Sequence, residues 1–123
     1  MNTKKKVLIV DDDEMFVTLL SNRLEDYFEI ETALNGEEFA HKAFLWRPDL
    51  IILDILLADE NGAEVHDQLL SSGFNPEIPI LFISTLVEDA SPVKLSNGRR
   101  IALLSKKFSP EELFKNIEIL IGS

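Results

Sequence analysis

Two short apolar runs that end in acidic residues constrain the fold of this chain more than any other feature. Val7–Val10 leads directly into Asp11 and Asp12, and Leu50–Leu53 leads into Asp54. Short, uninterrupted runs of branched apolar residues are typical of strands covered on both faces, as in parallel sheets. Carboxylates at the ends of neighbouring parallel strands meet at one edge of the sheet and repel one another unless a cation compensates. We therefore predict that a hard divalent cation binds beside these three aspartates.

Strand and helix patterns alternate along the rest of the chain. Five strands are predicted: apolar runs indicate those at 7–10, 50–54, 79–84 and 101–105, and the alternating residues at 29–33 indicate the fifth. Helical spacing predicts helices near 14–27, from about 39 to just before Pro48, at 62–72 and from Ser109 onward. Between 86 and 100, Pro92 favours a helix start and Asn97-Gly98 favours a stop, so we expect a short or irregular fourth helix there.

This alternation indicates an α/β fold, a doubly wound five-stranded parallel sheet with helices on both faces. Right-handed crossovers restrict the topology, and in the expected strand order 2-1-3-4-5 the ends of the first and third strands lie side by side. Sheets of this kind bind ligands in the crevice at that point. The acidic residues are therefore expected where such a fold forms its binding site.

Length and composition narrow the possible functions. The chain has 123 residues, which suits one domain, and its net charge of −10 argues against direct binding of nucleic acid. No apolar stretch approaches the ~20 residues needed to cross a bilayer, so we expect a cytoplasmic protein without membrane contact. The absence of cysteine excludes disulfides and thiolate metal sites.

The basic residues are unevenly placed. Residues 90–110 contain no acid and carry five cations, which are Lys94, Arg99, Arg100, Lys106 and Lys107. Two interpretations stay open. The cations are clustered by chance on the solvated surface, or one lysine belongs to the carboxylate site and the others form a basic patch that faces a partner.

Several motifs together resemble the receiver domain of bacterial response regulators. They are Val10-Asp11-Asp12-Asp13, Pro48-Asp49-Leu50-Ile51-Ile52-Leu53-Asp54 followed by Gly62, Ile83-Ser84, and Lys106 with Phe108. Each motif alone is weakly specific, but they occur in order at the ends of successive predicted strands and span essentially the whole chain. The resemblance implies a flavodoxin-like fold and a single receiver domain over 1–123 with no output domain.

By this resemblance, Asp54 accepts a phosphoryl group from a histidine kinase or a histidine phosphotransfer protein. The cofactor implied is Mg²⁺, bound by Asp12, Asp54 and the backbone carbonyl of Leu56, and by Asp11 through a water molecule. Asp13 is expected to cap the helix that follows it.

The resemblance also assigns Lys106 and the Ser84 hydroxyl to the oxygens of the phosphoryl group. The implied function is a signalling switch rather than an enzyme, in which phosphorylation changes binding to a protein effector or to a second copy through the 90–121 face. One alternative is a degenerate receiver that binds partners independently of phosphorylation. A weaker alternative is an aspartate-nucleophile phosphatase, which needs a second aspartate at the position that Leu56 occupies.

The chain departs from the usual receiver residues at four positions, which are Ala58, Thr85, Leu103 and Lys107. Lys107 stands in place of a proline, which leaves the direction of Lys106 open. Leu103 stands in place of an aromatic residue that normally takes part in the switch. Two further residues, Leu56 and Leu86, occupy positions that influence attack of water on the aspartyl-phosphate, and neither can orient a water by hydrogen bonding.

Both histidines fall in predicted helices with no ligand partner nearby in sequence. We expect His41 and His66 to lie at the surface.

Overall fold

The computed structural model describes residues 4–57, 60–85, 91–96 and 99–122, and for residues 91–96, 99 and 100 it describes the backbone alone. Strands and helices follow one another along the chain in the order β1 (Lys6–Val10), α1 (Glu14–Leu24), β2 (Glu29–Ala33), α2 (Gly36–Trp46), β3 (Leu50–Asp54), β4 (Leu56–Leu57), β5 (Glu60–Asn61), α3 (Gly62–Ser71), β6 (Ile80–Ser84), β7 (Ser91–Ser96), β8 (Arg99–Ser105) and α4 (Pro110–Ile121).

The main sheet has the strand order β2-β1-β3-β6-β8-β7, and β4 pairs with β5 in a separate small ladder. The strands β2, β1, β3, β6 and β8 are parallel to their neighbours in this order. They are the five predicted strands, so the predicted order 2-1-3-4-5 and the doubly wound parallel sheet are confirmed.

The segment 91–96 differs from the prediction of a short or irregular helix. It forms β7, which pairs antiparallel with β8 at the edge of the sheet, with an irregular register between Ser91 and Lys94. Val93 and Leu95 alternate with polar residues, which is the period of a strand, and an edge strand tolerates the missing N–H of Pro92. Of the remaining residues of the 86–100 segment, 99 and 100 begin β8, and 86–90 and 97–98 lie outside the described residues.

Two hydrophobic layers cover the two faces of the sheet. Alternate residues of β1 divide between them, with Val7 and Ile9 in one layer and Leu8 and Val10 in the other. The first layer packs against α1 and α4, and the second packs against α2 and α3. Burial on both faces explains the uninterrupted apolar runs at 7–10 in β1 and 50–53 in β3.

Capping residues that the local sequence indicates fix the starts of α1 and α4. The Asp13 side chain accepts a hydrogen bond from the N–H of Phe16, which confirms it as the N-cap of α1. Ser109 and Glu112 form the predicted capping box at the start of α4. Helix α1 ends at Leu24, three residues earlier than predicted.

None of the described helices is long and apolar enough to span a bilayer.

The prediction that His66 lies at the surface is wrong. Its residue exposure is 3%, and its ring makes edge contacts with Phe74 and Phe82. Both aromatic rings come from segments that follow α3 in the chain, so the helical pattern around His66 gives no sign of them. His41 is exposed, as predicted.

Candidate functional site

The three predicted carboxylates converge at the carboxyl ends of β1 and β3. Val10 pairs with Leu53 in the parallel register, so Asp11 and Asp54 follow on adjacent strands. Asp11, Asp12 and Asp54 each place a carboxylate oxygen within 4.8 Å of the other two. Asp11 is fully buried and Asp54 is 6% exposed, whereas Asp12 is exposed to solvent. One of the three thus faces the solvent while the other two lie inside the sheet edge.

Backbone groups orient the two buried carboxylates. The Asp13 N–H donates to Asp11 Oδ1 at 3.0 Å, and the Leu56 N–H donates to Asp54 Oδ1 at 3.1 Å. A Cβ added to Gly62 would overlap the backbone carbonyl of Asp54, so only glycine allows this close approach.

Lys106 supplies the positive charge of the site. Its Nζ lies 2.8 Å from Asp11 Oδ2 and 3.4 Å from Asp54 Oδ2, and its side chain is 13% exposed. The Lys106 N–H donates to the Ser84 carbonyl at 2.9 Å, which extends the ladder between β6 and β8 to the lysine itself. The described residues contain no cis peptide bond, so Lys106 reaches both carboxylates with Lys107 joined to it in trans.

Burial and neighbouring charges shift the pKa values of Asp11 and Lys106. The pKa of Asp11 is raised from 3.8 to about 6, mainly by burial and to a smaller extent by the charge of Asp54, and the lowering effects of Lys106 and the Asp13 N–H are already contained in this value. Burial alone would lower the pKa of Lys106, but its contacts with Asp11 and Asp54 outweigh this effect and raise the pKa above its ordinary value. Lys106 is therefore firmly cationic at neutral pH.

The donor set suits a hard divalent cation. Its side-chain donors are all carboxylate oxygens, which Mg²⁺ prefers, and three aspartates carry more negative charge than the Lys106 ammonium compensates. A cation would compensate the charge that burial makes costly on Asp11. The residues present therefore fit the predicted metal.

Ser84 occupies the end of β6, next to the acidic cluster. Ile83 pairs with Asp54 and Ser84 is the following residue, with 1% exposure. Leu103 pairs with Phe82 further back in the sheet and is half-buried. Thr85 is exposed directly after Ser84. The structure thus brings Ser84 to the same sheet edge as the aspartates and Lys106.

Some residues of the predicted site and of the predicted partner face lie outside the part of the chain that the structure describes. Ala58 and Leu86 belong to the undescribed residues, and so do the side chains of Lys94, Arg99 and Arg100 from the predicted basic patch. Of the five cations, Lys106 belongs to the carboxylate site and Lys107 is exposed.

Sequence reasoning missed one contact of the site. The Nζ of Lys106 lies 4.6 Å from the centre of the Phe16 ring, on the first turn of α1. Phe16 reads as an ordinary core position of an amphipathic helix, and nothing in its spacing distinguishes a ring that faces a lysine.

Comparison with known proteins agrees with this geometry. Residues 7–118 match the model of the response regulator receiver domain. The chain is 36% identical over 118 residues to the alkaline phosphatase synthesis transcriptional regulatory protein PhoP of Bacillus subtilis, which covers 95% of this chain and 48% of that protein. It is 28% identical to the transcriptional regulatory protein KdpE of Staphylococcus aureus, over 95% of this chain and 50% of the relative. The chain therefore spans about half the length of these relatives.

Solved structures show the same fold. The N-terminal domain of a response regulator/sensory box/GGDEF 3-domain protein from Carboxydothermus hydrogenoformans superimposes with a TM-score of 0.78 at 26% identity, over 96% of this chain and 94% of that one. A CheY-like receiver domain protein from Methanospirillum hungatei gives a TM-score of 0.78 at 23% identity, over 98% and 95% of the two chains. With an acidic cluster at the sheet edge and a family match along nearly its whole length, this chain belongs to the response regulator receiver domains.

Proposed function

We propose that this chain is a phosphoacceptor switch in which Asp54 receives a phosphoryl group from a phosphohistidine donor. Receiver domains of response regulators are signalling switches, and this chain belongs to that family. The observation that carries the proposal is the position of Asp54, nearly buried between two further aspartates and within 3.4 Å of the Lys106 ammonium.

The reaction needs an oxygen nucleophile and compensation of charge. A carboxylate oxygen of Asp54 attacks the phosphorus and forms a P–O bond. The P–N bond to the donor imidazole breaks, its electron pair returns to the nitrogen, and that nitrogen takes up a proton from solvent. Lys106 pairs with the oxygens of the arriving phosphoryl group, and the Ser84 hydroxyl donates a hydrogen bond to one of them.

Mg²⁺ fits the donors present, and Asp11, Asp12, Asp54 and the Leu56 carbonyl would hold it. When bound, it would neutralise charge on the phosphoryl oxygens. The chain itself contributes the orientation, because the N–H of Leu56 fixes Oδ1 of Asp54 while Oδ2 faces the Lys106 ammonium.

The phosphorylated state would change the affinity for partners. We propose a histidine kinase or a histidine phosphotransfer protein as the phosphodonor, and an effector or a second copy that binds through the 90–121 face. This face comprises β7, β8 and α4, and β8 is joined directly to Ser84 and Lys106 by the pairs and hydrogen bonds at its end. A shift at the site would therefore be transmitted first to these elements.

Acetyl phosphate with Mg²⁺ provides the first test. We expect a mass gain of about 80 Da that disappears with a chelator and in Asp54→Asn. Asp67→Asn, the same change at an exposed position of α3, is the matched control and should retain the full gain. No mass gain in the wild-type protein would refute the proposal in favour of a phosphorylation-independent binding module. Steady release of phosphate from small esters would favour the phosphatase instead.

A second experiment addresses the partner. Protein treated with beryllofluoride, which mimics the phosphoryl group, is compared with untreated protein as bait. A partner retained by only one of the two forms supports a switch, and identical capture by both forms contradicts it.

A further inference from the structure

The ammonium of Lys106 is enclosed from two sides by groups of different chemistry. Asp11 and Asp54 contact it with their carboxylates, and the ring of Phe16 lies 4.6 Å away. An ammonium near the face of an aromatic ring is attracted by the electrons of that face, and the attraction grows when water is excluded. Since the Lys106 side chain is only 13% exposed, little water competes with the attraction between its ammonium and the Phe16 ring.

The position of the Phe16 ring is itself well supported. Phe108 meets it edge to face, with ring centres 6.1 Å apart, and both rings pack against the core layer beneath α1 and α4. The Asp13 cap fixes the first turn of α1 through the N–H of Phe16 itself. The helix start, the second ring and the core therefore determine where the Phe16 ring lies.

A lysine needs such support more than a shorter side chain would. Four rotatable bonds separate its ammonium from the backbone, and ordering them costs conformational entropy. A cavity of about 150 Å³ adjoins both Phe16 and Lys106, with Leu20 and Phe108 in its wall. Without the ring, the lysine would gain space to leave the carboxylates and water would gain access to its ammonium.

We propose that Phe16 is a positioning residue that holds the Lys106 ammonium at the phosphoacceptor site. The inference rests on the proposed function, because it assigns the ring a role in the same phosphoryl transfer. Phe16 touches no reacting atom and acts through Lys106.

Two substitutions separate the aromatic face from simple packing. Phe16→Leu keeps an apolar side chain and removes the ring, whereas Phe16→Tyr retains a ring. Phe28→Leu is the control, since Phe28 is a partly buried phenylalanine packed against the same core layer and is absent from the contacts of Lys106. The maximal rate of Asp54 phosphorylation by acetyl phosphate is measured at saturating Mg²⁺, together with the melting temperature of each variant.

We expect Phe16→Leu to lower the maximal rate about three- to tenfold, as the loss of one cation–π contact implies. Phe16→Tyr should stay within about twofold of the wild-type protein. Phe28→Leu should lower the melting temperature without lowering the rate. A wild-type rate in Phe16→Leu, or an equal loss in the leucine and tyrosine variants, would overturn the inference.

A second readout does not depend on phosphoryl transfer. Competitive acetylation with acetic anhydride, followed by peptide mass analysis, reports how accessible the Lys106 amine is. We expect about threefold faster labelling of Lys106 in Phe16→Leu and no change in Phe28→Leu. If the wild-type protein were not phosphorylated at all, the proposed function would fail, and unchanged labelling of Lys106 in Phe16→Leu would separately refute the role of Phe16.

Discussion

Replacing Asp11 with asparagine should make the metal-free protein more stable, although it removes a charged residue from an ion pair. Asp11 is fully buried beside Asp54, and burial raises its pKa from 3.8 to about 6. A pKa that is higher in the folded protein means that the folded state holds this proton more tightly than the unfolded state. The free energy of unfolding therefore falls as the pH rises through the window between about 4 and 6.

The size of the effect follows from the same shift. A rise of about two pH units in pKa corresponds to roughly 3 kcal/mol of folding free energy lost above the window. The contact with Lys106 is already included, because it lowers the pKa of Asp11 toward that value. Asparagine has nearly the shape of the protonated carboxyl group. Asp11→Asn should thus gain about 3 kcal/mol at pH 7.5, roughly 10 °C in melting temperature, and almost nothing at pH 4.

Urea unfolding of both proteins at several pH values between 4 and 7.5, in the presence of a chelator, measures this difference. Asp13→Asn is the control, because asparagine caps a helix as well as aspartate and the residue is exposed. Added Mg²⁺ should stabilise the wild-type protein and reduce the stability difference between it and Asp11→Asn, because the cation compensates the Asp11 carboxylate. A stability difference that stays constant with pH, or an Asp11→Asn protein less stable at pH 7.5, would refute the argument.

Three further outcomes are expected. Gly62→Ala should destabilise the protein by about 2 kcal/mol or more in urea unfolding, because the added Cβ would overlap the Asp54 carbonyl. The control is Gly36→Ala, which should be nearly neutral because its Cβ would meet only the end of a flexible carboxylate side chain. Equal losses in the two alanine variants would contradict this. Ser109→Ala should cost about 1 kcal/mol through loss of the capping box, and an unchanged urea midpoint would contradict that role. The aspartyl-phosphate should persist well beyond seconds with Mg²⁺ present, because the half-exposed Leu56 beside Asp54 cannot orient a water molecule. Leu56→Gln should shorten this lifetime, which is measured as the loss of the phosphorylated mass over time. A wild-type lifetime of seconds would contradict this reasoning.

Much of the fold was predictable because its signals are local or strongly periodic. The strands 29–33 and 50–54 have the predicted bounds, and the caps at Asp13 and Ser109 are those that the local sequence indicates. The segment 91–96 was predicted wrongly because its signals conflict. Pro92 suits both a helix start and an edge strand, and only pairing with β8 decides between them.

The sequence was enough to predict that acids from two strands meet, since parallel neighbours end at one edge of a sheet and the order 2-1-3-4-5, which the resemblance to receiver domains implies, makes those strands adjacent. It did not reveal the burial of His66 or the ring beside Lys106. Both depend on side chains that lie outside the helix or strand concerned: Phe74 and Phe82 around His66, and Phe16 near Lys106. Periodicity reports which face of an element is covered, whereas the identity of the covering group is set by packing between elements, and that is decided only in the tertiary structure.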